Sequence, residues 1–77
     1  MTLGEERVRI SFNPSADTAV EDIKRRAADC IDWCESLKGA TGKETIANGE
    51  KLRCISLAQT AFENGAMWAV KAATFGK

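Results

Sequence analysis

Residues 52–75 place apolar side chains on two sides of one predicted helix. The first face carries Ile55, Ala58, Phe62, Ala66 and Ala69. The second face carries Cys54, Leu57, Ala61, Gly65, Trp68 and Phe75. A helix that is apolar around most of its circumference is buried around most of it. Because a 77-residue chain offers only one other long helix, the second face predicts contact with further copies of the chain.

The N-terminal segment has a different, alternating pattern. Residues 7–12 alternate polar and apolar side chains, which is typical of a short strand or an extended arm with one buried face. Asn13 and Pro14 end this pattern, because proline lacks an N–H group and restricts the residue before it. We therefore expect an extended arm over residues 1–16.

The first long helix is predicted over residues 17–38. Thr18 and Glu21 have the spacing of a capping box, in which both side chains accept hydrogen bonds from backbone donors of the first turn. The apolar positions that follow recur every three or four residues, as in a helix packed against an antiparallel partner. They are Val20, Ile23, Ala27, Cys30, Cys34 and Leu37. Ile31 and Trp33 lie off this seam and indicate a second contact.

The second long helix is predicted over residues 50–75, after a glycine-containing loop over residues 39–49. Gly76 ends it. This helix is rich in small residues, and a glycine in mid-helix costs about 1 kcal/mol relative to alanine. We therefore expect a close helix crossing at Gly65.

These elements predict an all-α protein with one domain over residues 1–77. The expected architecture is an antiparallel two-helix hairpin with a short N-terminal extended arm or strand. Its second apolar face predicts assembly into a compact helical homo-oligomer. Ordinary hairpin packing without further assembly stays open as the alternative.

Composition excludes several classes of protein. Eleven basic and eleven acidic residues cancel, so no overall field steers the chain to nucleic acid or to a membrane. No segment approaches the roughly 18 apolar residues of a membrane span, so we expect a soluble cytoplasmic protein. Three cysteines without a histidine argue against a metal site or a cofactor. Cys30, Cys34 and Cys54 are expected to be reduced, packed thiols.

The sequence offers little for catalysis. Without histidine, no cysteine or serine has an evident base beside it, and the acids of the first helix fit a solvated face. Residues 39–45 superficially resemble a phosphate-binding loop, but the spacing is wrong and no strand precedes it. We expect a binding protein rather than an enzyme.

Two basic elements suit an anionic ligand. Phe12 lies beside the predicted turn, and Lys24 opens a short basic cluster that ends at Arg26. An aromatic ring can stack on a base, while the cations can donate to phosphate oxygens. Arg53 lies where the second long helix starts, and copies of it on an oligomer axis would repel unless an anion lay between them. The alternative is that these cations are solvated surface residues.

A ribbon-helix-helix DNA-binding protein is the main alternative function. Arg7, Arg9 and Ser11 would point one way from a short strand that precedes two helices, and paired strands would place them in the major groove. The long first helix and the neutral overall charge argue against this function, so we expect no DNA partner. A plain structural or protein-binding helical module is the third possibility.

Three stretches of the chain resemble the phage hairpin-domain proteins that act as anti-CBASS and anti-Thoeris sponges. These stretches are FNPS from Phe12, VEDIK from Val20, and LAQTAFE with AMWAVKA between Leu57 and Ala72. The resemblance extends from Phe12 to Thr74. It implies helical homo-oligomers, hexamers in the best-known branch, that capture cyclic oligonucleotide messengers without cleaving them. Capture takes place in the cytoplasm of the infected bacterium and prevents an effector from killing the cell.

The resemblance also implies where the ligand binds. In the anti-CBASS branch, cyclic dinucleotides lie between protomers, against an aromatic residue near the end of the arm and the lysine of an Ile-Lys pair. These positions are Phe12 and Lys24 in this chain, and the backbone of Asn13 and Pro14 would form the pocket wall. An anti-Thoeris member would bind a cyclic ADP-ribose derivative instead, so the choice of ligand stays open.

A second kind of site is implied where three protomers meet. In the family it binds cyclic trinucleotides through an arginine at the start of the second long helix and the residue two past the lysine. Arg53 and Arg26 occupy these positions. Some relatives have a small hydroxyl residue where this chain has Arg26.

Overall fold

The computed structural model describes residues 1–14, 16–39 and 46–76, and the side chains at 46 and 47 lie outside the description. It contains three helices: α1 (Leu3–Arg7), α2 (Thr18–Ser36) and α3 (Ile46–Ala73). Helices α2 and α3 pack against each other, and α1 packs on α2. The hairpin is antiparallel, because Gln59 contacts Ile31 while Ala66, further along α3, packs in the cluster around Ala27. The described residues contain helices and turns and no strand, which confirms the all-α class.

The N-terminal segment differs from the predicted arm or strand. Thr2 caps α1, and its side chain and that of Glu5 form a reciprocal capping box that favours a helix at this position. Turns follow over residues 8–11, so the alternating pattern does not produce extended backbone. The prediction of an arm was wrong because the pattern over residues 7–12 arises from a short helix end and a turn, each with one buried side.

Helix α1 lies close against α2 at one glycine. The backbone N–H of Gly4 donates to the Asp32 carboxylate at 2.7 Å. A Cβ atom at Gly4 would lie 2.1 Å from the carbonyl oxygen of Ala28, so only glycine permits this approach. The Arg25 guanidinium adds an ion pair to Glu5 at 2.9 Å. Ile31, off the predicted seam, is fully buried in a core cluster that includes Val8 and Ala66, whereas Trp33 is exposed.

The N-cap of α2 lies one residue before the predicted one. Asp17 is the N-cap, and its carboxylate accepts from the backbone N–H groups of Ala19 and Val20. Thr18, the predicted cap, is instead the first helical residue. A carboxylate reaches both donors and also suits the positive end of the helix dipole, which favours Asp17 over the hydroxyl of Thr18.

The helix boundaries differ from the predicted ranges by a few residues. Helix α2 spans Thr18–Ser36 where 17–38 was predicted, and α3 spans Ile46–Ala73 where 50–75 was predicted. Gly49 does not delay the start of α3, because a helix tolerates one glycine at a modest cost. Residues 40–45 of the predicted loop lie outside the described residues.

The two apolar faces of α3 have different surroundings. The inner face packs on α2 through Ile55 and Ala66, together with Gln59, whose amide donates to the Ile31 carbonyl and to Glu35. The outer face is exposed at every predicted member: Cys54, Leu57, Ala61, Gly65, Trp68 and, beyond the helix, Phe75. A Cβ atom at Gly65 would meet nothing within 4 Å, so the expected close crossing does not occur within the protomer.

None of the helices, as far as the chain is described, is long and apolar enough to cross a membrane.

Candidate functional site

The chain turns sharply between α1 and α2, and Arg9 lies at the turn. The N–H of Arg9 donates to the Glu6 carbonyl and that of Ile10 to the Glu5 carbonyl, the two bonds of a Schellman motif. This motif needs a left-handed residue after the cap, and Arg9 has φ +56°. Glycine usually takes such a position, because a side chain there costs roughly 1–2 kcal/mol. An arginine therefore occupies a strained position.

Lys24 fastens this turn to α2. Its ammonium donates to the carbonyl oxygen of Arg9 at 3.0 Å and to that of Phe12. The residue is 8% exposed, and burial, followed by the nearby charge of Arg9, lowers the pKa of Lys24 below its ordinary value. The two carbonyls compensate for the lost hydration of the charge. An ammonium has three donors, so two of those of Lys24 are bonded within the protomer.

Phe12 extends from the same turn, with two cations beside its ring. The guanidinium carbon of Arg9 lies 4.4 Å from the ring centroid, and the Lys24 ammonium lies 5.4 Å from it. Both distances fall within the roughly 6 Å range of cation–π attraction. Phe12 nevertheless remains 53% exposed. The turn thus presents an accessible aromatic surface with positive charge next to it.

Asn13 and Pro14 connect this turn to α2. The Asn13 side chain donates to the Asp17 carbonyl at 2.8 Å and accepts from the Asp17 N–H at 3.1 Å. Since these bonds engage both ends of the amide, Asn13 shapes the backbone here. Pro14 is exposed beside it. The structure therefore brings Phe12, Asn13, Pro14 and Lys24 together at one corner of the protomer.

A cleft of about 400 Å³ lies between this corner and α3. Arg9 and Lys24 line it on one side, and Met67 and Val70 line it on the other. Glu63 also lines the cleft, but its carboxylate is ion-paired with Arg7 at 2.6 Å. The cleft thus has an apolar wall on α3 and net positive charge at the turn.

Arg26 and Arg53 do not meet within one protomer. Arg26 is ion-paired with Asp22 at 3.0 Å, and Arg53 is ion-paired with Glu50; both arginines are exposed. Gln59 of α3 lies opposite Ile31 of α2. In this antiparallel register, Arg26 lies opposite a point on α3 that is about eleven residues beyond Arg53. The two arginines are therefore separated by roughly 16 Å along the helix axis.

The ribbon-helix-helix alternative, against which the long first helix and the neutral charge already argued, does not fit the described N-terminal segment. It needs a strand from which Arg7, Arg9 and Ser11 point one way, but this segment is a helix end and a turn. Arg7 instead contacts α3, where it bonds Glu63 and the Thr60 hydroxyl. These contacts use the guanidinium within the fold.

The cysteines differ in their surroundings. Cys34 is buried as expected and Cys30 is partly buried, but Cys54 is exposed on the outer face of α3. All three are free thiols. In the described part of the chain, no group of three or more His, Cys, Asp or Glu residues is placed to hold a metal ion.

Sequence reasoning missed two features of this corner. It assigned Arg9 to a strand, although the residue lies at the turn and stacks on Phe12. It also missed α1, for which the available signal was the Thr2-to-Glu5 spacing of a capping box. At the start of α2, the capping-box spacing pointed to Thr18 as the N-cap, whereas the N-cap is Asp17.

Comparison with known proteins places the chain in a family. The family model described as "Acb2/Tad1, hairpin domain" matches residues 4–74, which include α1, the turn and almost the whole hairpin. No curated protein and no solved structure is significantly similar to the chain. The chain therefore belongs to the Acb2/Tad1 hairpin-domain family of anti-CBASS and anti-Thoeris sponges, phage anti-defence proteins that bind cyclic nucleotides and are not built as enzymes.

Proposed function

We propose that this protein sequesters cyclic dinucleotide messengers without cleaving them, in the cytoplasm of an infected bacterium, and so blocks CBASS-type signalling. The observation that carries the proposal is the half-exposed ring of Phe12, with the Arg9 and Lys24 cations beside it. Family membership supplies the ligand class. The geometry of the corner supports it as the place where that class would bind.

Phe12 is the proposed stacking residue for a base. Its exposed surface needs no rearrangement of the core, and the backbone on both sides of it is hydrogen-bonded into the turn. Stacking of a base on an aromatic side chain is worth about 1–3 kcal/mol. A pre-positioned ring gains this energy without first losing conformational freedom.

Lys24 is proposed to neutralise a phosphate of the same ligand. The ammonium lines the cleft and retains a third donor beyond the two used on carbonyls. Its bonds to the carbonyls of Arg9 and Phe12 also fix the turn, so it both contributes charge and holds the ring in place. The backbone of Asn13 and Pro14 forms the adjoining wall.

The ligand is proposed to bind at the seams of a homo-oligomer of six copies. The outer face of α3 is the proposed interface, because Leu57 is 56% exposed and Trp68 is 62% exposed on the isolated protomer. Apolar side chains of this size are seldom left in contact with water in one contiguous patch. Open space at Gly65 would allow the helix of a second copy to approach closely.

A second site for cyclic trinucleotides is proposed at Arg26 and Arg53. Because the two arginines are separated by roughly 16 Å along the hairpin, we expect one protomer to supply Arg26 and another to supply Arg53 to the same ligand. To bind a phosphate, Arg26 would give up or share its ion pair with Asp22, and Arg53 would do the same with Glu50. Both ion pairs are solvent-exposed, so the exchange costs little.

Sequestration requires tight binding and a sufficient number of copies. A dissociation constant of about 1 nM corresponds to about −12 kcal/mol, which several stacking and phosphate contacts per ligand can provide. The affinity must exceed that of the effector for the same messenger. No chemical step on the ligand is needed.

Calorimetry on the purified protein tests this proposal. The titrants are cyclic di-AMP, cyclic di-GMP, cyclic GMP–AMP and cyclic tri-AMP, and the bound ligand is recovered after denaturation and checked for intact mass. At least one cyclic dinucleotide should bind and return unchanged. Binding of no panel member, or recovery of a linear product, would refute sequestration of these messengers.

Phe12→Ala sharpens the test. Loss of one stacked base should weaken binding by about 5- to 150-fold. Trp33→Ala is the matched control, because it removes a similarly exposed aromatic from α2, away from the turn. Equal losses in the two variants would argue against a specific role for Phe12.

A cyclic ADP-ribose derivative is the second candidate ligand, since the matched family includes the anti-Thoeris sponges. Cyclic ADP-ribose therefore belongs in the same titration. Binding of this compound, with no heat from any cyclic dinucleotide, would assign the chain to that branch.

A further inference from the structure

Among the described residues, the contacts of Arg9 differ from those of the other arginines. Four of the five arginines have a carboxylate partner. They are Arg7, Arg25, Arg26 and Arg53. Arg9 has no ion pair and no side-chain hydrogen bond to any residue in the described ranges 1–14, 16–39 and 46–76. Its guanidinium instead stacks on Phe12, and none of its five N–H donors is bonded to a residue of those ranges.

The backbone of Arg9 supports a role beyond structure. At φ +56° the turn would accommodate glycine with less strain. A strained residue with an exposed side chain points to a function that compensates for its conformational cost. Lys24 donates to the Arg9 carbonyl and so restrains its backbone, while the Phe12 ring stacks on the guanidinium and favours one orientation of the side chain.

We propose that Arg9 is a specificity-determining residue that grips a phosphodiester group of the nucleotide whose base stacks on Phe12. This inference rests on the proposed function. The guanidinium presents a planar fork of donors to the phosphate oxygens, which selects a phosphodiester over a neutral nucleoside. Because Arg9 lies beside the Phe12 ring, a nucleotide whose base stacks on that ring would have its phosphate within reach of the guanidinium.

Arg9 is better placed to bind an anion than Arg7 or Lys24, the other cations of the cleft. Arg9 and Lys24 line the same cleft, but Lys24 is 8% exposed and has already committed two donors. The acidic residue of that cleft, Glu63, is ion-paired with Arg7. A phosphate entering the cleft would therefore meet the Arg9 guanidinium, which has no carboxylate partner among the described residues. The negative charge of Glu63 would repel it little, because Arg7 neutralises that charge.

Arg9→Gly separates binding from folding. Glycine fits the left-handed position, so the thermal unfolding temperature should stay the same or rise while affinity falls. Loss of a charge-assisted contact should weaken binding of the best cyclic dinucleotide by about 10- to 100-fold. The salt dependence of the dissociation constant should become shallower at the same time, because one phosphate contact is gone.

Arg9→Lys and Lys38→Gln are the companion variants. Lysine keeps the charge but not the planar fork, so its affinity should lie between those of wild type and Arg9→Gly. Lys38→Gln removes one positive charge near the far end of α2, where the lysine is ion-paired with Glu35, and should bind like wild type. An equal loss in Lys38→Gln would assign the effect to overall charge and overturn the inference.

The outcomes distinguish this inference from the proposed function. If wild type binds no cyclic dinucleotide, the proposed function fails. If wild type binds and Arg9→Gly binds equally well with unchanged salt dependence, the assignment of Arg9 alone is overturned. Should Arg9→Gly change the native mass, Arg9→Gln repeats the comparison with the side-chain stem retained.

Discussion

The corner formed by the turn and the start of α2 differs from the outer face of α3 in how many of its groups find partners within one protomer. At the corner, most charged groups have partners within the chain: Arg7 pairs with Glu63, Arg25 with Glu5, and Lys24 with two carbonyls. Arg9, which stacks on Phe12, is the exception among the described residues. On the outer face of α3, Leu57 and Trp68 are each more than half exposed. The corner is thus organised before a ligand or a second copy arrives, whereas the face is not.

In the proposed function, this difference assigns ligand recognition to the corner and assembly to the outer face. The hydrogen-bonded turn and the cation–π contact position Phe12 and Arg9, so binding of the proposed ligand would require little ordering of the protein. The exposed apolar face is the proposed contact between copies of the chain, since small domains often gain stability from partner subunits. We therefore expect substitutions at the corner to alter ligand affinity and those on the face to alter subunit number.

Trp68→Glu should produce the largest effect. A buried, unpaired carboxylate at an apolar interface is strongly unfavourable, so the assembly should dissociate to monomers at micromolar protein concentration. Native mass or light scattering measures this directly. Ser36→Glu adds the same charge to an exposed polar position on α2 and should leave the mass unchanged. A Trp68→Glu protein with the wild-type mass would show that the outer face is not the interface.

Gly4→Val should produce the next largest effect, on stability. Its Cβ atom would lie 2.1 Å from the Ala28 carbonyl oxygen, so α1 must move away from α2. Overpacking of this kind costs about 1–3 kcal/mol of unfolding free energy. Chemical denaturation measures the loss. Ligand affinity should fall as well, because α1 positions the turn that carries Phe12; unchanged stability and affinity would contradict the role of α1.

Gly49→Ala and Gly65→Ala form a matched pair. Both glycines lie in α3, and a Cβ atom added at either would meet nothing within 4 Å in the protomer. Alanine should therefore raise intrinsic helix stability by about 1 kcal/mol at each site. If a second copy packs closely at Gly65, only Gly65→Ala should weaken the assembly on dilution. An identical response of the two variants would place the interface away from Gly65.

The smallest effect concerns the pH dependence of α1. Hydrogen bonds from the Thr2 backbone and then from Arg25 lower the pKa of Glu5 from 4.5 to about 2. Because the folded-state pKa lies below the unfolded one, Glu5 stabilises the fold above about pH 4.5, and this contribution is lost as the pH falls toward 2. Wild type and Glu5→Gln should therefore differ most at neutral pH and converge in acid.

Glu6→Gln is the control for this prediction. Glu6 lies on the same turn, and its carboxylate makes no hydrogen bond or ion pair within the part of the chain that the structure describes. Urea unfolding at several pH values measures both variants. A Glu6→Gln curve that matches that of Glu5→Gln would mean that the Thr2 and Arg25 contacts do not stabilise α1.

The hairpin could be predicted from sequence, because the two long helices carry sustained apolar periodicity. The outer face of α3 was also identified correctly as uncovered within the protomer. The N-terminal segment could not be predicted, because six alternating residues fit a strand as well as a helix end and a turn. Its actual structure depends on a close approach at Gly4 and on the ammonium of Lys24, both of which act between elements.

The candidate site was predicted in part. Phe12 and Lys24 do lie together, as the resemblance implied, but the burial of Lys24 and the stacking of Arg9 follow from the turn geometry. Periodicity does not reveal a left-handed arginine. The proposed shared site of Arg26 and Arg53 could not be derived from periodicity, because it depends on contacts between copies of the chain.

Native mass spectrometry of the wild-type protein with its best cyclic dinucleotide is the sharpest test of ligand capture between copies, because it counts subunits and intact ligands together. We predict one oligomeric species that takes up unmodified ligand. Phe12→Ala should keep the subunit number but retain less ligand than the wild type at equal ligand concentration, and Trp68→Glu should lose both the assembly and the ligand. A monomer that binds the ligand as tightly as the wild-type assembly would contradict binding at the seams between copies.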